Sequence, residues 1–298
     1  AWVRESGGVV NDAATFGADR EFRVVDDVAA GSVLFRVPAA CLVTEATLRR
    51  EPAGLAVLRA VEAVSSSLYF PAGDVALAMF LAIERRRRGA FGAFTDTLPD
   101  AEGFDALPRR WPEADLDALL RGSPLLALVR RDRDGLQSDY GLLASAWRLS
   151  EECGDSALPP IDDFDRALGV VTSRAFAGMG GDGADAMVPV LDLLDHKRGA
   201  GQTRDTQYRR TEEGAVECFA FRDLAAGEVV RSTYGAKGNS QLLCCYGFCV
   251  RNNLEPDGSS NDILEFPLPG GHGASALLQA GPKSYAYGAF AKAVDAFK

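Results

Sequence analysis

Four short stretches hold the side chains with the most chemistry to offer: Ser173-Arg174, Asp192-Leu193-Leu194-Asp195-His196, Ser232-Thr233-Tyr234-Gly235 and Tyr246-Gly247-Phe248. Tyr234 closes a β-type run, Val229 to Thr233, and its phenolic hydroxyl can both donate and accept a hydrogen bond. Tyr246 and Phe248 add ring faces that can attract a cationic ligand. Taken singly, a tyrosine before a glycine and a Tyr-Gly-Phe pair are also ordinary packing. His196 has the look of a general base, because imidazole titrates near neutrality. The only other histidine, His272, lies in a glycine-rich tail, which argues against a nucleophilic triad. Cys244, Cys245 and Cys249 fall close together, but no histidine or second cysteine pair follows at zinc-site spacing, so no metal site is expected.

These residues need elements to hold them. The stretch Glu21 to Pro38 reads as two short strands around a turn at Ala30-Gly31, with β-branched and aromatic residues on both sides. A similar phrase, Phe219-Ala220-Phe221-Arg222-Asp223-Leu224-Ala225-Ala226-Gly227-Glu228-Val229-Val230, comes later, and reads as a second hairpin with the same turn chemistry. The likeness covers only about a dozen residues, too few to favour an internal repeat. Between the two lies a helix-rich block. Asp74 is an N-cap candidate for a buried helix reaching Glu84, and the run Arg85 to Arg88 before Gly89 suits the negative end of a helix dipole better than a nucleic-acid contact. Leu98-Pro99, Pro108 and Trp111-Pro112 mark a proline-punctuated loop leading to a short helix over 115–120, with further helices expected over 138–151 and 162–173. Asn239 reads as the N-cap of a helix over 240–245 that would place Tyr234 and Tyr246 on either side of one turn. The order is strand, helical block, strand: an α+β chain.

Composition sets outer bounds. The 298 residues are 47% hydrophobic and 25% charged, as in an ordinary globular protein with a substantial core. A net charge of −10 repels phosphate backbones, which disfavours nucleic acid and favours a cationic or neutral partner. No apolar run reaches membrane-span length, and the start, Ala1-Trp2-Val3-Arg4, has neither an initiator Met nor a signal-peptide layout, consistent with a fragment or processed form. Six scattered cysteines suit a reducing, intracellular setting and a soluble protein, with cytoplasm, nucleus and plastid left open.

Taken together, the four stretches, with Ala175-Phe176 after Arg174, Met187 to Leu191 before Asp192 and Ala236 to Cys245 after Gly235, resemble the SET-domain protein methyltransferases. Within them the likeness is to the branch that includes the Rubisco large-subunit lysine methyltransferase and the actin-histidine methyltransferase. It extends from about Phe22 to about Asn253 and includes Leu98-Pro99 and Trp111-Pro112. The resemblance implies a SET fold of small β-sheets interrupted by a long all-helical insert, about 70–165, inside a domain spanning 16–253. Residues 254–298 would be a short tail, with the family's helical substrate-docking domain absent or truncated. It implies S-adenosylmethionine as cofactor and methylation of a protein lysine, with histidine as the variant target and no metal, nucleic acid or membrane partner. Tyr234 would be the catalytic tyrosine. Ser173, Arg174, Asp192, Asp195 and His196 would hold the cofactor, His196 through its backbone, with Tyr246 and Phe248 as aromatic walls of that site. Two departures support a rival reading, a catalytically silent SET-fold interaction module. Asp195 stands where the family has Asn, and the family's early Gly-x-Gly falls on Asp19-Arg20-Glu21, with Gly17 displaced upstream. Glycine permits a close backbone approach that Asp and Glu resist.

Overall fold

The computed structural model describes residues 1–17, 21–149, 157–198, 204–267 and 275–279. The chain opens with α1 (Trp2–Glu5), β1 (Val9–Val10), β2 (Ala14–Phe16), β3 (Phe22–Val24) and β4 (Val33–Val37). A helical block follows: α2 (Glu45–Leu48), α3 (Pro52–Val64), α4 (Ala72–Arg87), α5 (Gly92–Thr95), α6 (Ala101–Phe104), α7 (Glu113–Leu120), α8 (Pro124–Leu149) and α9 (Ile161–Arg174). Strands then return as β5 (Ala175–Gly181), β6 (Ala184–Met187), β7 (Thr206–Arg210) and β8 (Val216–Ala220). Last come α10 (Asn239–Tyr246) and the paired β9 (Ile263–Pro267) and β10 (Ser275–Gln279). The helical block thus begins at Glu45, well before the first helix expected from sequence, with Pro52 at the first turn of α3, where its missing N–H has no cost. Asp19 and Arg20, Cys153 and His272 lie outside the described residues.

The sheets are small and antiparallel: a four-stranded sheet in the order β1-β4-β8-β7 and the two-stranded pairs β2-β3, β5-β6 and β9-β10. Alternation gives β8 its buried residues Val216, Cys218 and Ala220, which close a core with Phe22, Leu34, Phe35 and Val188. A second core fills the helical block, centred on α4, whose residues Val75 to Ile83 are all buried. The reciprocal backbone bonds of Val43 and Met187, 3.1 and 3.0 Å, link the two halves.

The two similar phrases do not form two hairpins. β3 pairs with β2 and β4 with β1 and β8, and the phrases instead face one another. Val28 and Leu224 exchange backbone bonds of 2.9 Å in both directions. The Asp27 carboxylate accepts from Ala226 N–H at 2.9 Å, and the Asp223 carboxylate accepts from Ala30 N–H at 2.8 Å. Gly31 N–H reaches Ala220 O and Gly227 N–H reaches Val24 O, both at 2.8 Å. Each turn therefore caps the other, with the reciprocity of a contact about a local two-fold axis. The glycines sit at φ 82° and 84°, a region open to glycine at little cost, so the shared Ala-Ala-Gly chemistry is required twice.

α4 starts one turn earlier than its expected cap. Pro71 holds the N-cap position, and Asp74 lies inside the first turn, where a carboxylate suits the helix dipole. The helix ends at Arg88, φ 52°, with Glu84 buried beneath it and accepting from Phe91 N–H at 3.1 Å. Three of the four arginines take separate intramolecular acceptors: Arg85 the Pro99 carbonyl at 2.9 Å, Arg86 the Asp163 carboxylate at 2.8 Å and Arg88 both oxygens of Asp96 at 3.0 Å. Among the described residues no helix is long and apolar enough to cross a membrane.

Candidate functional site

The backbone around Tyr234 is tied to two other segments. Val230 N–H donates to Phe22 O at 2.8 Å and Ser232 N–H to Asp195 O at 2.9 Å, while Lys197 N–H returns to Ser232 O at 2.8 Å. This parallel bridge brings His196 beside Tyr234. The Tyr234 N–H donates to His196 Nδ1 at 3.1 Å, and the Tyr234 hydroxyl donates to Leu194 O at 3.0 Å. Burial, with Arg198 and Lys237 nearby and Glu255 opposing, lowers the His196 pKa to about 4. The imidazole is therefore neutral near pH 7 and uses Nδ1 as an acceptor, which fits holding the tyrosine backbone better than acting as a base. Burial foremost, with Asp195 and Asp192 nearby and Arg174 opposing, raises the Tyr234 phenol to about 12.

One side of Tyr234 is aromatic. Tyr246 stacks on it with centroids 5.0 Å apart and planes 19° from parallel, His196 lies 5.0 Å away, and Phe248 stands edge-on at 6.4 Å. Gly247 ends α10 at φ 77°, and a Cβ there would meet Ala106 Cβ at 3.0 Å, so the chain turns between Tyr246 and Phe248 where only glycine fits easily. Asn239 is the first residue of α10, not its N-cap, a position held by Gly238. Its side-chain oxygen accepts from Val250 N–H at 2.7 Å and its amide donates to Val250 O at 3.1 Å, latching the segment that carries Phe248. Asp262 accepts from both the backbone and the side chain of Asn239 and from Asn253. The latch could not be read locally, because Asp262 is remote in sequence.

The other side of Tyr234 opens on a cleft of about 390 Å³ lined by Phe16, Gly17, Thr97, Pro99, Leu193 and four polar residues, Arg174, Asp192, Asp195 and Tyr234 itself. Arg174, at the end of α9, donates to Asp192 O at 2.5 Å and lies 3.7 Å from the Asp192 carboxylate. Val190, held at φ 74° and ψ −48°, turns the chain into the short 3₁₀ segment Leu191–Leu193 that presents Asp192. A β-branched residue in that region is strained, and the strain sits at the cleft's edge. Asp195 is exposed.

No protein-family model matches the chain. The SET domain of LSMT bound to lysine and AdoHcy superimposes with a TM-score of 0.68 at 18% identity, covering 95% of this chain and 66% of that one. The chain has the SET fold. In sequence it is 24% identical over 268 residues to N-lysine methyltransferase setd6 of Xenopus tropicalis, covering 83% of this chain and 56% of that protein. It is 27% identical over 186 residues to the chloroplastic fructose-bisphosphate aldolase lysine N-methyltransferase of Arabidopsis thaliana, 60% of this chain and 37% of that protein. The chain thus spans about half the length of the curated relatives it matches first, 56% for the Xenopus protein.

Within the SET fold, Arg174, Asp192, Asp195 and Tyr234 come together at the cleft, and His196, Tyr246 and Phe248 form the aromatic cluster behind Tyr234. Tyr246 and Phe248 are therefore walls on the far side of the tyrosine and do not line the cleft. Ser173 is placed elsewhere: its hydroxyl donates back to Gly169 O at 2.6 Å within its own helix. Phe16 and Thr97 line the cleft without any expectation from the sequence, and Pro99 was expected only as part of a proline-punctuated loop. The one local signal for the last two was the Leu98-Pro99 pair.

Proposed function

We propose that this chain is an S-adenosylmethionine-dependent protein methyltransferase whose target is a lysine side chain. The observation that carries the proposal is the position of Tyr234, with a charged cleft on one side and an aromatic cluster on the other. The cleft fits the cofactor chemically. An exposed carboxylate, Asp195, suits an ammonium, and the partly exposed Arg174 guanidinium suits a carboxylate, the two charges of the cofactor's amino-acid end. When bound, the cofactor supplies an electrophilic methyl group.

The chain's own residues do the positioning. Tyr234 stays a neutral phenol at physiological pH, so its oxygen orients an amine by hydrogen bonding and takes no proton. His196 fixes the tyrosine backbone. Tyr246, stacked on Tyr234 with the Lys237 ammonium over its ring, and Phe248 add aromatic surface beside the tyrosine, and a dry site lowers an amine's pKa from its usual value of about 10.4 toward the neutral, nucleophilic form. Holding the reactants in line is the main source of acceleration for such a displacement.

The names of the relatives support lysine as the target class, and the net charge of −10 supports a basic protein segment over nucleic acid as partner. The SET unit is taken to run past 16–253 at both ends, because β1 (Val9–Val10) joins the four-stranded sheet and Asp262 holds Asn239 and Asn253. Calorimetric titration with S-adenosylmethionine, with and without a chelator, tests the reading. Saturable binding unaffected by the chelator is expected. No binding at millimolar cofactor would favour the silent interaction module.

A further inference from the structure

The helical block supplies part of the cleft wall. After α5 the chain runs Asp96-Thr97-Leu98-Pro99, and the residues alternate in what they face. Leu98 is buried in the helical core, while Thr97, exposed, and Pro99 on either side of it line the cleft together with Arg174, Asp192, Asp195 and Tyr234. Four contacts fix this turn. Thr97 donates to Phe94 O through its N–H at 2.9 Å and its hydroxyl at 2.7 Å, Arg88 grips Asp96, and Arg85 donates to the Pro99 carbonyl. Arg85 is exposed, so this bond rather than burial is what its side chain contributes. Two arginines at the end of α4, Arg85 and Arg88, thus bind the back of this cleft wall.

We propose that the Thr97-Leu98-Pro99 turn is a wall of the cofactor site and that Arg85 is a positioning residue for it, acting through the Pro99 carbonyl. The inference rests on reading the cleft as the S-adenosylmethionine site. Physically, the turn does what the charged residues of the cleft cannot do alone. Arg174 and Asp195 bind an oppositely charged group strongly only where water is kept away, because charge-assisted contacts weaken as the local dielectric rises. A proline ring and a threonine methyl beside them exclude that water. The wall has little freedom, since Pro99 has a fixed φ and Leu98 is anchored in the core. Moving it requires releasing the Arg85 bond, so the helical block and the cofactor site are mechanically joined at this turn.

The test is calorimetric titration of S-adenosylhomocysteine and S-adenosylmethionine into the full chain and into Thr97→Trp, Arg85→Ala, Arg85→Lys and Arg87→Ala, with thermal unfolding of each recorded alongside. Thr97 is exposed, so the indole fills the cleft without displacing core residues, and binding is expected to weaken at least about tenfold at an unchanged melting temperature. Arg85→Ala, losing one positioning hydrogen bond, is expected to weaken binding about three- to tenfold. Arg85→Lys, which keeps a donor, recovers part of that loss, and Arg87→Ala binds as the unsubstituted protein does. Equal affinities for the unsubstituted chain, Thr97→Trp and Arg85→Ala overturn the assignment while leaving the cofactor site standing. Failure of the unsubstituted chain to bind overturns the cofactor reading and this inference with it. If Thr97→Trp unfolds, the Arg85→Ala and Arg85→Lys pair decides.

Discussion

Acidification should destabilise this protein through His196 more than through any ordinary histidine. Burial and the nearby Arg198 and Lys237 lower its pKa from 6.5 to about 4, and Tyr234 N–H donates to Nδ1, the atom a proton would occupy. The sign follows from which state takes the proton. Between pH 6.5 and about 4 the unfolded chain binds it and the folded chain refuses it, so the stabilisation is complete above 6.5 and disappears as pH falls through the folded value. At about 1.4 kcal/mol per pH unit the window has a ceiling of about 3 kcal/mol. The ring is only partly buried, and solvent screening brings the expected loss to about 2 kcal/mol. Urea unfolding at about pH 7.5 and about pH 4.5, for the natural chain and for His196→Asn, isolates this contribution from the titration of the carboxylates. Asparagine keeps a side-chain oxygen to accept from Tyr234 N–H and does not titrate. The natural chain should lose about 2 kcal/mol more than the variant between the two pH values. Equal losses in both proteins would mean that His196 is not held neutral by the fold.

Tyr234→Phe should lower methyl transfer on the order of a hundredfold, with cofactor affinity unchanged by calorimetry, because one positioned hydroxyl is lost and the cleft keeps its shape. A loss of affinity as large as the loss of rate would place the hydroxyl in cofactor binding instead. Asp195→Ala should weaken cofactor binding about tenfold or more, the size of one charge-assisted hydrogen bond, while Asp195→Asn leaves it similar or weaker. Tighter binding by Asp195→Asn would show that the carboxylate opposes the cofactor. Asp27→Ala and Asp223→Ala should each cost about 1 kcal/mol in urea unfolding and should match one another, since each carboxylate caps the other's turn. A cost confined to one of the two would refute the two-fold equivalence.

Tyr234, Arg174, Asp192 and Asp195 stand out in sequence because short, dense motifs carry them, and the fold brings them to one cleft. The duplicated Asp, Ala-Ala-Gly phrase was visible too, but not its meaning. A hairpin and a reciprocal contact need the same glycine, and only the partner strands tell them apart. The bonds of Ser173 and Asn239 were not legible for a common reason: a small polar side chain bonds to whatever backbone is nearest. For Ser173 that was the preceding helical turn, and for Asn239 the backbone of Val250. The contribution of Thr97 and Pro99 was hidden because it depends on packing the helical block against the strand half, and the Leu98-Pro99 pair in 90–100 signals a turn but not what the turn faces. The helices α2 and α3 have apolar positions buried in the same core as α4, but short segments beside stronger periodic ones carry a weaker sequence signal.

The central claim is that the site around Tyr234 moves a methyl group to a lysine. The direct measurement is mass spectrometry of a lysine-containing basic protein extract incubated with the chain and trideuteromethyl-labelled S-adenosylmethionine, run in parallel with Tyr234→Phe. The account predicts labelled methyl groups on lysine side chains with the natural chain and on the order of a hundredfold less with the variant. Label on histidine alone, or equal label with both proteins, would contradict it.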